Sequence, residues 1–155
     1  MAVNIFVSYD HDDQRQVAAF RALKSNPKHP LDFQDHSLKD PVLGPTGKPL
    51  SYPPSDPRSK PVRDVIRNKF ERASKLVVLI GDATHASDWV QWEVNTFYSM
   101  KEELAGDKTW KRIRGMTLKG SANASVPNAL GGRSTKVLEW DPETLDTWLD
   151  LDPDR

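Results

Sequence analysis

The sequence predicts an α/β domain in which a parallel five-stranded sheet carries helices on both faces. Three observations predict this class. Short apolar runs alternate with stretches of helical periodicity along the 155 residues. The run "KLVVLI" is uninterrupted, as is typical of a strand buried at the centre of a parallel sheet. Most segments between these elements are short, which is typical of strands joined by crossover helices.

The N-terminal part of the chain is predicted to hold two strands and one helix. "VNIFVSY" (3–9) is β-branched and aromatic, and predicts a buried strand. Asp12 or Asp13 is the predicted cap of a helix that runs to about Lys24. "LDFQDHS" (31–37) alternates apolar and polar residues, and predicts a weaker second strand.

Residues 38–61, called here the proline-rich segment, are predicted to form no regular element. They contain seven prolines, which lack the backbone N–H that helices and sheets need. A loop of this length inside a compact domain is usually functional or disordered. We expect it to be the most mobile part of the domain, with low hydrogen-exchange protection unless it orders on assembly.

Two helices are predicted around the central strand. Apolar residues from Val62 onward follow helical spacing, with Pro61 near the first turn. "KLVVLIGDA" (75–83) is the clearest strand. Ser87 is the predicted N-cap of the next helix, which runs to Ala105 and ends at Gly106.

The C-terminal part is predicted to add two strands and a short helix. "KRIRGMTL" (111–118) and "TKVLEW" (135–140) predict the fourth and fifth strands. Asp141 is the predicted cap of the last helix, with Pro142 at its first position and Leu145, Trp148 and Leu149 facing inward. The whole chain, 1–155, is predicted to be a single domain with the flavodoxin-like strand order 2-1-3-4-5.

The composition excludes several function classes. With no cysteine, the chain has no disulfide, thiol nucleophile or cysteine-bound metal, and we expect a cytoplasmic protein. Lys plus Arg equal Asp plus Glu at 22 each, which gives no support for a nucleic-acid or membrane partner. No apolar run approaches the ~20 residues of a membrane helix, and "MAVNIFVSYD" enters a strand without a leader.

In parallel sheets with the flavodoxin-like strand order, ligands bind beyond the carboxyl ends of the strands, at the switch point between the first and third strands. The polar and aromatic residues expected at that edge are Ser8, Tyr9, Asp10, Asp35, His36, Ser37, Asp82, Thr84 and His85. Each has a structural alternative. Tyr9 fits rim packing as well as ligand contact, the aspartates fit helix caps and turns, and single loop histidines are usually solvated.

Glu93 has the most unusual position in the sequence. In "SDWVQWEVNTF" (87–97), Val90, Val94 and Phe97 form the inward stripe of a helix, and Glu93 projects on or beside it. An inward carboxylate lowers stability unless it is paired or has a function. A buried structural hydrogen-bond network is the alternative.

Two motifs carry a resemblance to a known family. "NIFVSYDHDD" resembles the first strand of Toll/interleukin-1 receptor (TIR) domains, and "SDWVQWEV" resembles their Ser-x-Trp-x-x-x-Glu signature. The run from "LVVLIGDA" to "GMTLKG" is similar to the bacterial TIR-like proteins of the Thoeris type. The similarity spans most of residues 3–140, but the proline-rich segment is unusually long and Val90 replaces a cysteine or small residue.

This resemblance implies an enzyme that cleaves the nicotinamide–ribose bond of NAD and makes an ADP-ribose-derived signal for an effector protein in anti-phage defence. NAD is then a substrate, with no cofactor or metal. The motif carries the catalytic role over to Glu93. The expected substrate-binding residues are Ser8, Tyr9, Asp10, His36, Asp82, Trp89 and Trp92. Family enzymes commonly complete their cleft with a neighbour's loop, which implies self-association through residues 38–61.

Three other functions are consistent with parts of the sequence. The first is a non-catalytic TIR-like scaffold. The second is a phosphoacceptor receiver, in which Asp10, Asp12 and Asp82 would act, but which leaves Trp89 and Glu93 unexplained. The third is a flavin-binding protein, which is disfavoured because "SYDHDD" places negative charge where a phosphate would need bare amides.

Overall fold

A parallel sheet forms the centre of the domain. The computed structural model describes residues 3–10, 33–35, 52–82, 84, 87–118, 124–130, 137–138 and 142–150. Its strands are β1 (Val3–Ser8), β2 (Phe33–Asp35), β3 (Lys75–Ile80), β4 (Ile113–Thr117) and β5 (Val137–Leu138). They pair in the order β2-β1-β3-β4-β5, and every pair is parallel. The predicted α/β class with a parallel sheet is confirmed.

Three α-helices are found in the described ranges: α1 (Lys60–Arg72), α2 (Asp88–Ala105) and α3 (Pro142–Asp150). Short 3-10 helices occupy Pro57–Ser59, Gly106–Arg112 and Asn128–Leu130. Each α-helix was predicted, and the inward positions of Leu145, Trp148 and Leu149 are confirmed by their burial. The helix predicted to end near Lys24 lies outside the described residues.

The end of the proline-rich segment differs from the prediction. It was predicted to hold no regular element, yet Pro57–Ser59 forms a 3-10 helix and α1 begins at Lys60. Pro57 and Pro61 both stand in the first turn of their helices. A proline is compatible with that place because the N–H it lacks has no partner inside the helix. Residues 38–51 lie outside the described ranges.

The two faces of the sheet bury separate apolar clusters. On one face, Phe6 of β1 packs edge-to-face on Phe70 of α1, at 4.7 Å between ring centroids, and Phe70 packs likewise on Phe97 of α2, at 5.4 Å. On the other face, Val7 and Met116 pack with Trp148 of α3. Helices therefore cover both faces, α1 and α2 on one and α3 on the other.

Both ends of α2 are set by residues that the sequence identified. The hydroxyl of Ser87 accepts a hydrogen bond from the backbone N–H of Val90 at 3.3 Å. At the other end, Gly106 has a φ of 54°, in the left-handed region that favours glycine. The Ser87 cap fixes where the helix begins and therefore which of its residues face the sheet, and Gly106 fixes where it ends.

Candidate functional site

Glu93 and Ser8 meet where β1 ends. Ser8 is the last residue of β1, and its Oγ donates a hydrogen bond to Glu93 Oε1 at 3.2 Å. Strand alternation places Ser8 on the same face as Phe6, which is the face that α2 covers. Glu93 projects from the second turn of α2 toward this face. The contact therefore joins the carboxyl edge of the sheet to the helix that follows β3.

The carboxyl group of Glu93 lies in a desolvated environment. The residue is 7% exposed, and Ser8 is 1% exposed. Within the described ranges, Ser8 is its one hydrogen-bond partner and no cation pairs with it. Burial raises the pKa of Glu93 from its ordinary 4.5 to about 8, and the Ser8 hydrogen bond acts in the opposite direction. The group is therefore mostly protonated at neutral pH in the free protein.

The turn after β3 holds Asp82 at the surface. Thr84 is fully buried, and its Oγ1 accepts a hydrogen bond from the backbone N–H of Gly81 at 2.8 Å. The Thr84 N–H in turn donates to the Gly81 carbonyl at 3.3 Å. Asp82 lies inside this tight turn and is exposed to solvent. This position agrees with the alternative in which Asp82 shapes the turn.

Tyr9 and Ser8 face opposite sides of the sheet because consecutive strand residues alternate. Tyr9 is half-buried and packs against the cluster that contains Ile5 and Val7, on the α3 side. Asp10, the next residue, is half-buried. The structure thus brings Ser8 directly to Glu93 and places Tyr9 against the other face.

Trp89 and Trp92 form an edge-to-face pair on α2, with ring centroids 5.5 Å apart. Both are half-buried and pack against the cluster under α1 and α2. Trp89 Nε1 donates to the Tyr52 carbonyl at 3.1 Å, and the guanidinium of Arg67 lies 5.4 Å from the Trp92 ring centre. His36, the remaining predicted contact, lies outside the described residues, as do Asp12, Asp13, Ser37 and His85.

A groove of about 650 Å³ lies elsewhere, between the outer surfaces of α1 and α2. Arg67 and Glu71 border it from α1, and Ser99 and Lys101 from α2. Burial, together with the charge of nearby Arg112, lowers the pKa of Lys101. Neither Ser8 nor Glu93 lines this groove, so it is separate from the candidate site.

Comparison with known families bears on the chemistry of the Ser8–Glu93 pair. The family model of the TIR-like domain of Thoeris protein ThsB matches residues 6–113, well over half of the chain. This chain belongs to the ThsB TIR-like domain family. The match includes both β1, which ends at Ser8, and the part of α2 that carries Trp89 and Glu93. No curated protein matches the chain.

Membership of the ThsB TIR-like family confirms the resemblance drawn from "NIFVSYDHDD" and "SDWVQWEV". None of the helices in the described ranges is both long and apolar enough to cross a membrane. Within the same ranges, no three His, Asp or Glu side chains come together as a metal site would require.

Sequence reasoning missed Tyr52 and Ser59 as neighbours of this region of the ThsB-type domain. Ser59 is 1% exposed and donates to the carbonyls of Tyr52, at 3.1 Å, and Pro53, at 2.6 Å. The Trp89 bond ends on the same Tyr52 carbonyl. Because these contacts use backbone oxygens, which every residue has, no side-chain pattern in the sequence could have predicted them.

Proposed function

We propose that this domain cleaves the bond between nicotinamide and ribose in NAD, with Glu93 as the catalytic carboxylate. The product would be an ADP-ribose-derived signal, cyclic or conjugated, in anti-phage defence. The observation that carries this proposal is the buried carboxyl of Glu93 beside the end of β1, which no cation of the described residues pairs with. The fold part of the proposal is a flavodoxin-like order for the complete chain, supported by the pairing of the described strands.

The buried environment of Glu93 lowers the stability of the folded protein at neutral pH, which is unusual for a purely structural residue. Desolvation raises its pKa to about 8, so the unfolded chain holds the ionised form far more easily than the folded protein. A structural network would normally supply a cation or several donors, and the described residues supply one hydroxyl. Strongly shifted carboxyl groups with few partners are typical of functional sites.

The reaction requires one carboxylate. Nicotinamide leaves as a neutral base from a cationic pyridinium ring, so no acid has to protonate the leaving group. Glycoside hydrolases differ, because their leaving oxygen takes up a proton from a second carboxyl group. The breaking N–C bond leaves its electron pair on nicotinamide and positive charge on the ribose. Ionised Glu93 can stabilise that charge or hold a ribose hydroxyl.

Substrate binding can ionise Glu93. A cation within a few ångströms of a carboxyl group favours its charged form. The pyridinium of NAD brings such a charge into a site where solvent no longer screens it. We therefore infer that Glu93 is largely protonated in the free protein and releases its proton to bulk water as NAD binds. Ser8 supports the ionised form because its hydroxyl donates to the carboxyl oxygen.

The attacking nucleophile sets the product. Water would give ADP-ribose, a nitrogen of the adenine base would close a cyclic product, and another acceptor would give a conjugate. The test is incubation of purified protein with NAD, alone and with lysate from phage-infected cells, followed by mass spectrometry. Release of nicotinamide supports the proposal, and unchanged NAD under every condition contradicts it.

The second candidate is a non-catalytic TIR-like scaffold. The Ser8–Glu93 hydrogen bond favours it, because it ties a strand end to a helix as a structural contact would. The two candidates differ in what Glu93 contributes. A scaffold needs the contact for stability, whereas the enzyme needs the charge for turnover. Replacing Glu93 by glutamine separates them.

A further inference from the structure

One backbone oxygen joins the end of the proline-rich segment to α2. The carbonyl of Tyr52 lies 3.1 Å from Trp89 Nε1 and 3.1 Å from Ser59 Oγ. Ser59 Oγ is closer, at 2.6 Å, to the carbonyl of Pro53. A hydroxyl carries one proton, so the shorter contact takes it for most of the time. The indole N–H of Trp89 is therefore the main donor to Tyr52.

The turn that follows Tyr52 is held together by its own contacts. Asp56 accepts hydrogen bonds from the backbone N–H of Arg58, at 2.9 Å, and from its guanidinium, at 2.7 Å. Arg63 of α1 donates to the carbonyls of Pro54, at 2.6 Å, and Asp56, at 2.9 Å. Because the turn 52–59 is linked in this way, a contact that fixes Tyr52 fixes the whole turn.

The point of attachment is next to the proposed catalytic residue. Trp89 precedes Glu93 by four positions in α2, and residues four apart in a helix lie on the same face. The side chain of Trp89 reaches Tyr52, and the side chain of Glu93 reaches Ser8. The turn 52–59 is thus attached one helical turn from the carboxyl group.

We propose that Trp89 is a positioning residue, whose indole N–H holds the turn 52–59 beside Glu93 as one wall of the NAD site. This inference rests on the proposed function. It differs from the direct substrate contact expected of Trp89 from the family resemblance, because the indole N–H is used on the Tyr52 carbonyl. The ring itself packs edge-to-face on Trp92 and against the core under α1 and α2.

The first test measures the turn without using activity. Trp89→Phe removes the N–H and keeps an aromatic ring, and Trp92→Phe is the matched control. Amide hydrogen exchange is followed at Asp56 and Ser59, whose N–H groups donate to Pro53 and Asp56. We expect exchange about 3- to 10-fold faster in Trp89→Phe, the effect of losing one hydrogen bond, and little change in Trp92→Phe. Equal exchange in wild type and Trp89→Phe overturns the proposal.

The second test separates positioning from direct contact with NAD. Trp89→Phe is expected to raise KM for NAD about 3- to 10-fold, with kcat changed by less than about twofold. A fall in kcat with KM unchanged overturns the proposal, because it would place Trp89 against the reacting atoms. Ser59→Ala removes the hydroxyl that bonds to Tyr52 and Pro53 within the same turn. It should reproduce the faster amide exchange and the higher KM, which keeps the proposal testable if Trp89→Phe does not fold. If wild type leaves NAD intact, the proposed function fails and the exchange result alone decides on the attachment.

Discussion

Ser8 Oγ donates to Glu93 Oε1 at 3.2 Å, although the two residues are 85 positions apart in the chain. β1 brings the hydroxyl to the carboxyl edge of the sheet, and the cap at Ser87 sets the rotation of α2 that turns Glu93 toward it. The Ser8 hydroxyl donates to the one titrating group of the pair, so its removal should change the pKa of Glu93.

The stability of the domain should fall as pH rises from about 5 to about 8. The pKa of Glu93 is about 8 when folded and near 4.5 when unfolded. Well below pH 4.5, Glu93 is protonated in both the folded and the unfolded state, so its ionisation does not lower the free energy of unfolding. Between the two values the unfolded chain loses its proton and the folded protein retains it, so unfolding becomes easier. Above about 8 both are ionised, and the loss is complete.

Glu93→Gln isolates this effect from other titrating groups. Urea unfolding of wild type and variant at pH 5 and at pH 8 gives the difference in their free energies of unfolding. We expect wild type to lose on the order of 3 kcal/mol relative to the variant between these pH values. Parallel pH dependence in the two proteins would show that Glu93 titrates normally.

Removal of the Ser8 hydroxyl should move the pH dependence of turnover. That hydroxyl lowers the pKa of Glu93, so Ser8→Ala raises it further. The plot of kcat/KM against pH should rise with ionisation of Glu93 in the free enzyme, and in the variant it should rise at higher pH. At pH 7 we expect a loss of about 3- to 10-fold, recovered in alkaline buffer. Ser99→Ala, exposed on α2, is the control. A pH-independent loss would mean that Ser8 contacts substrate instead.

Much of the fold could be predicted because single local signals determine it. An uninterrupted apolar run identified β3, and Ser87 with Gly106 identified both ends of α2. The start of α1 lies two residues before the predicted Val62, with Pro61 in the first turn as predicted, and the 3-10 helix Pro57–Ser59 was missed because proline density was interpreted as loop. The site was only partly predictable. The sequence placed Glu93 inward, but its contact with Ser8 and the attachment of Trp89 to Tyr52 depend on tertiary packing.

Gly106→Ala tests the C-terminal cap of α2. Gly106 has a φ of 54° and a ψ of −127°, a conformation that L-residues rarely adopt. An added methyl group meets no atom within 4 Å, so backbone strain is the main effect. We expect a loss of about 1–3 kcal/mol in the free energy of unfolding by urea. Asn95→Ala, on an exposed position of the same helix, should change it by less than about 0.5 kcal/mol. Equal effects of the two substitutions would contradict the strain argument.

NAD turnover should depend on self-association. The family resemblance implies that a neighbouring copy completes the cleft through the proline-rich segment, and we propose the same here because an open cleft on one domain excludes water poorly. Activity per molecule should therefore rise with protein concentration, in step with the associated fraction measured by sedimentation. Bovine serum albumin added at matched total protein controls for surface loss. Constant specific activity in a protein that sediments as a monomer throughout would count against this prediction.

Glu93→Gln should separate catalysis from structure. Glutamine has the size of the protonated carboxyl and offers the same oxygen to Ser8 Oγ, but it cannot become an anion. Losing one preorganised electrostatic contact typically costs about 100- to 1,000-fold in rate. The free energy of unfolding at pH 7 should be unchanged or raised by up to about 3 kcal/mol, because the ionised unfolded state no longer competes. The measurements are nicotinamide release, NAD binding by calorimetry and urea unfolding. Glu102→Gln, exposed near the end of α2, should leave all three unchanged. Normal turnover in Glu93→Gln would refute the proposed catalytic role of Glu93. A clear loss of stability would favour the scaffold function, since the carboxyl group would then be a structural partner of Ser8.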